Sequence, residues 1–362
     1  MLHSALIGVP ASGKTTLFQL MTSARDAPRG KGDVNIGISK VPDTRLDVLT
    51  SMYNPKKRVP ATIEFTDIIQ AARAGAQALV DVAGYKNADA LVHVVRAFRS
   101  ESVAHASGSI DPARDAKAME DELILADLGI VERRLERIER DAKKGLSAEL
   151  TKERELVLRC RAALEEGTPL RALQLAGDDL KRLRGFQFLS AKPLLLVINL
   201  DEADVAGVGA DVERAAAAVG LSGFLAHAAT RAVALCATIE LEIAQLGGED
   251  AKAFLADLGL NESGLDRVIR ASYDLLGYIS FFTVGEDECR AWTVERGTRA
   301  QQAAGAIHSD LEKHFIRAET IHWDKLLQAG SEANAKAQGL LRLEGKEYSV
   351  HDGDVMHIRH SA

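Results

Sequence analysis

Blocks of apolar and polar residues follow one another along the chain in a pattern that predicts alternating strands and helices. Mostly apolar runs of strand length lie at 4–8, 36–41, 62–67, 90–98, 193–200 and 232–237. Several of these runs are nearly continuous, which is typical of strands that are covered on both faces. Segments with helical spacing separate them, and the first carries Leu17, Leu20 and Met21. This order predicts an α/β fold with a doubly wound, mostly parallel sheet.

A longer helical pattern follows the strand predicted at 90–98. Its apolar residues recur every three to five positions, as in an amphipathic helix: Met119, Leu123, Ala126, Ile130, Leu135, Ile138 and Ala142. The segment KKGLS at 143–147 ends the pattern, and a second helix at about 148–166 can fold back on the first. We therefore predict an antiparallel helical hairpin inserted into the α/β domain.

One face of the first hairpin helix is basic. It carries Arg133, Arg137, Arg140 and Lys144, which could contact the phosphates of an RNA. Glu136 and Glu139, however, lie four residues before Arg140 and Lys143, and such pairs are typical of a solvated helix face. Both interpretations, RNA contact and a solvated face, stay open.

The stretch GVPASGKTT at residues 8–16 lies between the first predicted strand and the first predicted helix. It fits the pattern G-x-x-x-x-G-K-[ST] in the strand–loop–helix context that this pattern requires. Glycines let backbone N–H groups surround phosphates, the helix N-terminus adds a positive dipole, and Lys14 neutralises the outer phosphates. The predicted nucleotide-binding residues of the loop are Gly8, Pro10, Ala11, Ser12, Gly13, Lys14, Thr15 and Thr16.

Polar residues at two further strand ends suit the same site. Thr15 is predicted to hold Mg2+, and Asp67, which ends a predicted strand, is predicted to reach the ion, usually through water. Asn199 ends another strand and begins an Asn-x-x-Glu pattern that Glu202 completes. Leu200 stands where guanine-binding proteins have a lysine, so the usual guanine selectivity is not encoded. A surface loop beginning with asparagine is the alternative for this motif.

Composition and charge narrow the class of protein. The 362 residues carry a formal net charge of −7, which disfavours coating of nucleic acid by a basic surface. No apolar run approaches the roughly 20 residues of a membrane helix, and the early loop leaves no room for a signal peptide. Cys160, Cys236 and Cys289 form no C-x-x-C pair, so neither a disulfide framework nor a zinc site is indicated. We expect a cytoplasmic monomer without membrane contact.

Long motifs are spread over nearly the whole chain. They include GVPASGKTTLF, VPDTRLDVL, TIEFTDI, HVVRAF, GLDRVIRASYDLL, RAWTVERGTRAQQAAGAIHSDLEKHFIRAE and EGKEYSVHDGDVM. Together they resemble the YchF subfamily of the Obg-like P-loop NTPases. The resemblance implies a P-loop nucleotide-binding domain at 1–111 and 193–277, an inserted helical hairpin domain at 112–192, and a C-terminal TGS domain of β-grasp fold at 278–362.

The resemblance also implies an activity, partners and further site residues. Family members look like weak Mg2+-dependent ATPases more than GTPases, because of the Asn-x-x-Glu pattern, and they associate with ribosomes. Cys236 and Ala237, at the end of the last predicted strand, would complete the nucleotide site with Asn199 and Glu202. His105 occupies a position where the family also has histidine. It would either assist water activation or have a structural role.

The chain departs from the family pattern in the two switch segments, which sense the last phosphate. Gln70 stands where the family has a glycine that lets the backbone approach this phosphate. Between Ser23 and Asp43 there is no threonine to complete the magnesium shell, and Lys31 would either touch the phosphate or lie in a mobile basic loop. Three hypotheses follow: a weak ATPase acting as a ribosome- or RNA-associated switch, a non-hydrolysing nucleotide-binding interaction module, and a GTPase.

Overall fold

The structure is a computed structural model that describes residues 2–22, 34–68, 82–105, 107–142, 147–175, 177–208, 211–227 and 229–361. The chain divides into two compact units, and each unit contains one sheet. The first unit comprises residues 1–39 and 64–275, and the second comprises residues 40–63 and 276–362.

The elements are numbered in chain order. The strands are β1 (Leu2–Ile7), β2 (Val34–Lys40), β3 (Lys57–Val59), β4 (Thr62–Ile68), β5 (Ala90–Arg96), β6 (Leu194–Asn199), β7 (Thr230–Leu235), β8 (Tyr278–Thr283), β9 (Glu288–Glu295), β10 (Phe315–His322), β11 (Arg342–Glu344) and β12 (Asp354–His360). The helices are α1 (Lys14–Thr22), α2 (Thr44–Tyr53), α3 (Val82–Tyr85), α4 (Pro112–Ala142), α5 (Ala148–Glu165), α6 (Gly177–Leu183), α7 (Glu202–Val208), α8 (Val212–Ala218), α9 (Ala237–Ile243), α10 (Gly248–Asp257), α11 (Gly264–Leu275), α12 (Ala300–Ile307), α13 (Ser309–Lys313), α14 (Trp323–Ala329) and α15 (Glu332–Ala337).

The sheet of the first unit has the strand order β2–β4–β1–β5–β6–β7. The pairs β1–β5, β5–β6 and β6–β7 are parallel, and every residue of β5 and β6 is buried. Near-continuous apolar strands are stable only when both faces are covered, so this burial follows from their sequence. The predicted α/β fold is confirmed. The carboxyl ends of β1, β5, β6 and β7 meet at one edge of the sheet, which is where parallel α/β sheets bind ligands.

The predicted helical hairpin corresponds to α4 and α5. Their apolar residues form a separate core that includes Val131, Leu135, Leu156, Val157 and Cys160. Helix α4 begins earlier than the apolar stripe indicates, because its first residue is a proline and the Asp111 carboxylate accepts the Arg114 N–H at 3.0 Å. The Arg140 Nε donates to the Glu136 carbonyl oxygen at 3.3 Å rather than to the predicted carboxylate.

Buried polar contacts anchor α4 to the rest of the first unit. Asp127 accepts hydrogen bonds from the backbone N–H groups of Leu189 and Ser190 at 2.9 and 2.7 Å. The Arg171 guanidinium pairs with the Glu120 carboxylate, and both side chains are almost fully buried. Since these partners satisfy each other, the base of the hairpin is fixed by geometry that apolar packing alone would not specify.

The second unit contains a mixed sheet with the order β11–β10–β12–β8–β9–β3. The pairs β8–β9, β10–β11 and β10–β12 are antiparallel, whereas β12–β8 and β3–β9 are parallel. The unit is discontinuous in sequence. Its segment with α2 and β3 comes, along the chain, between β2 and β4, which are strands of the first sheet. The three-domain division expected from the sequence stays a prediction.

Candidate nucleotide-binding site

The loop between β1 and α1 can only be built with glycine at two positions. Gly8 has a φ of +143°, and a Cβ there would lie 2.4 Å from the Val94 carbonyl oxygen. Gly13 has a φ of +97°, and a Cβ there would lie 2.6 Å from the Asn199 Nδ2. Both backbone conformations and both close contacts exclude a side chain. The loop therefore packs tightly on β5 and β6 and ends at the N-terminus of α1.

Lys14 folds back over the loop that precedes it. Its Nζ donates to the carbonyl oxygens of Gly8 and Val9 at 2.6 and 3.0 Å. Burial lowers the pKa of Lys14, and the nearby Asp67 carboxylate opposes this effect. The ammonium group is thus held at the centre of the loop, partly desolvated, where a phosphate oxygen would stabilise its charged form.

Thr15 and Asp67 form the part of the site that suits a divalent ion. The Thr15 Oγ1 donates to the Asp67 Oδ2 at 2.9 Å. The other carboxylate oxygen of Asp67 is buried and has no hydrogen-bond partner among the described residues. An unpartnered buried carboxylate oxygen is costly unless a cation or water satisfies it. Hydroxyl and carboxylate oxygens are the ligands that Mg2+ prefers, so these two residues fit the predicted ion.

Asn199 connects the loop to the segment that follows β7. Its Nδ2 donates to the Ser12 carbonyl oxygen at 3.0 Å, and its Oδ1 accepts the Ala237 N–H at 3.0 Å. The side chain is almost fully buried. The surface-loop alternative for this motif does not match these contacts. Asn199 instead holds two backbone segments at one spacing and keeps one amide proton for a further acceptor.

A cavity of about 320 Å³ opens beside the loop. Six of the predicted binding residues line it: Gly13, Thr16, Asn199, Glu202, Cys236 and Ala237. Six residues without a predicted binding role line it as well: Phe98, Arg99, Leu200, Asp201, Thr238 and Leu241. Phe98 and Arg99 follow the carboxyl end of β5. Because ligands bind at the carboxyl ends of strands in parallel α/β sheets, this position could have predicted both as lining residues.

Comparison with known proteins identifies the family. The chain is 41% identical to the ribosome-binding ATPase YchF of Bacillus subtilis over 99% of both chains, and 37% identical to the protein of the same name from Escherichia coli O157:H7, covering 98% of this chain and 97% of that protein. The chain belongs to the YchF family. A family model described as YchF-GTPase_C, a protein of unknown function (DUF933), matches residues 278–361. The solved structure of the Schizosaccharomyces pombe YchF GTPase is similar over 99% of this chain and 97% of that one, with 27% identity and a TM-score of 0.84.

The other loop residues predicted for this YchF-family chain differ in exposure. Pro10 and Ala11 are exposed at the tip of the loop, where Ala11 has a φ of +62°. Ser12 is buried, and its Oγ has no hydrogen-bond partner among the described residues. A non-glycine residue at positive φ and an unsatisfied buried hydroxyl are both costly, and such costs often mark ligand sites.

His105 lies in a buried polar contact. Its side chain is 3% exposed, and its Nε2 lies 2.7 Å from the Asp115 Oδ2 at the start of α4. Its Nδ1 accepts the Ser107 N–H at 3.1 Å. Both ring nitrogens therefore have close neighbours within the chain, although the Nε2–Oδ2 contact lacks the angles of a hydrogen bond. The catalytic role expected for His105 stays a prediction.

The two switch residues noted in the sequence, Lys31 and Gln70, lie outside the described residues. Within the ranges that are described, no group of three or more His, Cys, Asp or Glu side chains is arranged to hold a metal ion. No helix in those ranges is long and apolar enough to cross a bilayer. Among the residues that the structure describes, Thr15 and Asp67 form the candidate ion site, and Mg2+ in such sites takes further ligands from phosphate oxygens and water.

Proposed function

We propose that this YchF-family chain binds a magnesium-bound purine nucleoside triphosphate, hydrolyses it slowly, and acts as a ribosome-associated switch in the cytoplasm. The observation that carries the proposal is the joint geometry of Lys14, Thr15, Asp67 and Asn199 at one loop, beside a cavity that Asn199 also lines. A loop of this kind presents backbone N–H groups, an ammonium and a hydroxyl to the same ligand.

Each residue contributes a distinct step to nucleotide binding. Lys14 exchanges its two carbonyl contacts for the oxygens of the outer phosphates and neutralises their charge. Thr15 and Asp67 would hold Mg2+, which supplies charge neutralisation on the phosphates when it is bound. Asn199 keeps the loop and the Ala237 segment at the spacing that the cavity requires.

The base that fits the cavity is proposed to be adenine. The Asn-x-x-Glu pattern places Leu200, which is 3% exposed, where a lysine would favour guanine, and Glu202 is exposed at the cavity. The names of the relatives differ on this point, since the bacterial proteins are called ATPases and the Schizosaccharomyces pombe protein a GTPase. A competition titration of ATP against GTP by calorimetry decides which base the site prefers.

Ribosome association is proposed from the names of the bacterial relatives and from the exposed basic face of α4. Arg133, Arg137 and Arg140 are exposed on this face. Phosphate contacts by such residues would make binding depend on salt. Co-sedimentation with ribosomes should therefore decrease in the variant with all three arginines replaced by glutamine, while ATP affinity should stay at the wild-type value.

Hydrolysis is tested in a single-turnover assay with ATP and with GTP. We expect phosphate release from ATP above the level of Lys14→Ala, because this substitution removes the charge at the outer phosphates. Lys252→Ala is the matched control, since Lys252 is exposed on α10 and pairs with the exposed Glu249. Binding without release would favour the non-hydrolysing interaction module, and faster release from GTP would favour the GTPase.

The role of His105 is tested in the same assay. If it assists water activation, His105→Gln should lower the rate of phosphate release without changing the affinity for ATP. If its contact with Asp115 is purely structural, the same variant should lower the free energy of unfolding and leave the rate of the folded fraction unchanged.

A further inference from the structure

Arg96 is a buried cation at the carboxyl end of β5 that none of the proposed steps uses. Only 1% of it is exposed, although arginine is among the residues least often buried. Within the described parts of the chain no carboxylate forms an ion pair with it. Its guanidinium instead donates to three backbone carbonyl oxygens, those of Phe98, Val103 and Ala104, at 3.3, 2.8 and 3.5 Å.

An arginine in this environment is a costly way to fill a core. Burying a charge without an opposite charge costs free energy that hydrogen bonds to carbonyl oxygens only partly offset. An aliphatic side chain would fill the same volume without that cost. The position therefore requires what only the guanidinium supplies, which is several fixed donors in one plane.

The donors of Arg96 organise the segment that walls the cavity. Its guanidinium carbon lies 4.6 Å from the centre of the Phe98 ring, and Phe98 lines the cavity. The next residue, Arg99, also lines the cavity, and its backbone N–H lies 3.1 Å from both carboxylate oxygens of Asp201. The Ala97 N–H donates to the Asn199 carbonyl oxygen at 2.9 Å. This wall is thus held by Arg96 from one side and by β6 and Asp201 from the other.

We propose that Arg96 is a positioning residue for the nucleoside part of the bound nucleotide. It acts through residues 97–99, whose side chains and backbone it fixes against the cavity. The phosphates bind to the loop at residues 8–15, whereas the described hydrogen bonds of the Arg96 guanidinium go to residues 98–104. The inference rests on the proposed nucleotide binding and deepens it, because it assigns the nucleoside and the phosphates to separately controlled parts of the site.

The test compares two ligands that share the phosphates but not the nucleoside. Calorimetric titrations with ATP and with inorganic tripolyphosphate, both with Mg2+, are made on the wild type and on Arg96→Met. We expect ATP to bind the variant about tenfold or more weakly, because the wall is no longer fixed. Tripolyphosphate should bind the variant within about twofold of the wild type, since its contacts lie in the loop.

A matched control separates positioning from general destabilisation. Arg171 is a second buried arginine of the same unit, paired with Glu120 and absent from the cavity lining. Arg171→Met should lower the free energy of unfolding but change the affinities for both ligands by the same small factor. If Arg96→Met does not fold, Phe98→Ala and Asp201→Ala release the same wall from other contacts, and both should weaken ATP binding selectively.

The outcomes distinguish this inference from the function on which it rests. Unchanged ATP affinity in Arg96→Met, or equal losses for ATP and tripolyphosphate, would overturn the role of Arg96 alone. If Arg96→Met does not fold, unchanged ATP affinity or equal losses for the two ligands in Phe98→Ala and Asp201→Ala would overturn the role of Arg96. A wild-type protein that binds neither ligand would overturn the proposed nucleotide binding, and the role of Arg96 with it.

Discussion

Acidification should destabilise the first unit through one buried histidine. His93 lies in β5, is 2% exposed, and pairs with Ile7 of β1 and Leu196 of β6. Burial, together with the charges of Lys14 and Arg171, lowers the pKa of His93 to about 3. The imidazole is therefore neutral in the folded protein wherever the unfolded chain still carries its ordinary pKa of 6.5.

The sign and size of the effect follow from this difference in pKa. Below pH 6.5 the unfolded chain takes up a proton on His93 that the folded protein does not bind, so the stability is complete above this pH and is lost as the pH falls toward 3. Between pH 7 and pH 5 the loss amounts to about 2 kcal/mol, at 1.4 kcal/mol for each unit of pKa difference that is crossed.

The assay is urea unfolding at pH 7 and pH 5, followed by far-ultraviolet circular dichroism and by amide exchange in peptides from β5 and β6. Both tryptophans of the chain, Trp292 and Trp323, lie in the second unit, so their fluorescence follows that unit separately. His93→Leu should reduce the loss of stability between the two pH values by about 2 kcal/mol. His227→Gln, which replaces a partly buried histidine of the same unit, is measured in parallel as the control for removing a histidine elsewhere.

Parallel pH profiles of the wild type and His93→Leu would refute the reasoning, because other groups would then account for the whole dependence. The comparison uses the change with pH and not the absolute stability. A constant packing cost of the leucine therefore cancels, and the difference isolates the proton that only the unfolded chain binds.

Three further perturbations probe the loop, the hairpin anchor and the second unit. Gly13→Ala forces a Cβ to 2.6 Å from the Asn199 Nδ2. The ATP affinity measured by calorimetry should therefore fall about tenfold or more. Gly248→Ala adds a Cβ in open space and should leave the ATP affinity unchanged. Arg171→Met leaves the Glu120 carboxylate buried without a cation and should lower the unfolding free energy, measured by circular dichroism, by about 3–5 kcal/mol. Most of this loss should return when Glu120→Leu is added; no recovery would contradict the account. Arg45→Met removes the ion pairs with Asp43 and Asp352 and should lower the unfolding free energy of the second unit, followed by tryptophan fluorescence, by about 1–3 kcal/mol. Lys56→Met removes an exposed ion pair and should lower it by less than about 1 kcal/mol.

Local patterns in the sequence were sufficient to predict the strands of the first sheet and the glycine-containing loop between β1 and α1. The runs at 90–98 and 193–200 contain β5 and β6, because continuous apolar segments of that length are stable only as covered strands. The loop was predictable because its two glycines and its lysine have a fixed spacing that follows from the backbone conformation. Helix α5 was predicted within one residue, whereas α4 begins seven residues before the first residue of the stripe, since Pro112 and the Asp111 cap, rather than apolar spacing, set its start.

Contacts between distant segments could not be read from the chain. Asn199 was predicted as a binding residue from its motif, but its bridge between Ser12 and Ala237 depends on the register of β1, β6 and β7. Phe98 and Arg99 gave no chemical signal of their own, and Arg96 had the appearance of an ordinary polar residue at a strand end. The membership of residues 40–63 in the second unit was equally hidden, since the pairing of β3 with β9 joins segments more than 200 residues apart.

The sequence by itself determined the strands of the first sheet, the helical hairpin, the glycine-containing loop and the family, because each of these depends on residues that are close together in the chain or on motifs of fixed spacing. Only the tertiary structure decided which side chains share the cavity and which charges are buried. Those properties depend on how sheet edges and helices are brought together in space. The free energy of a charged side chain depends more on whether it is buried than on which residue carries the charge.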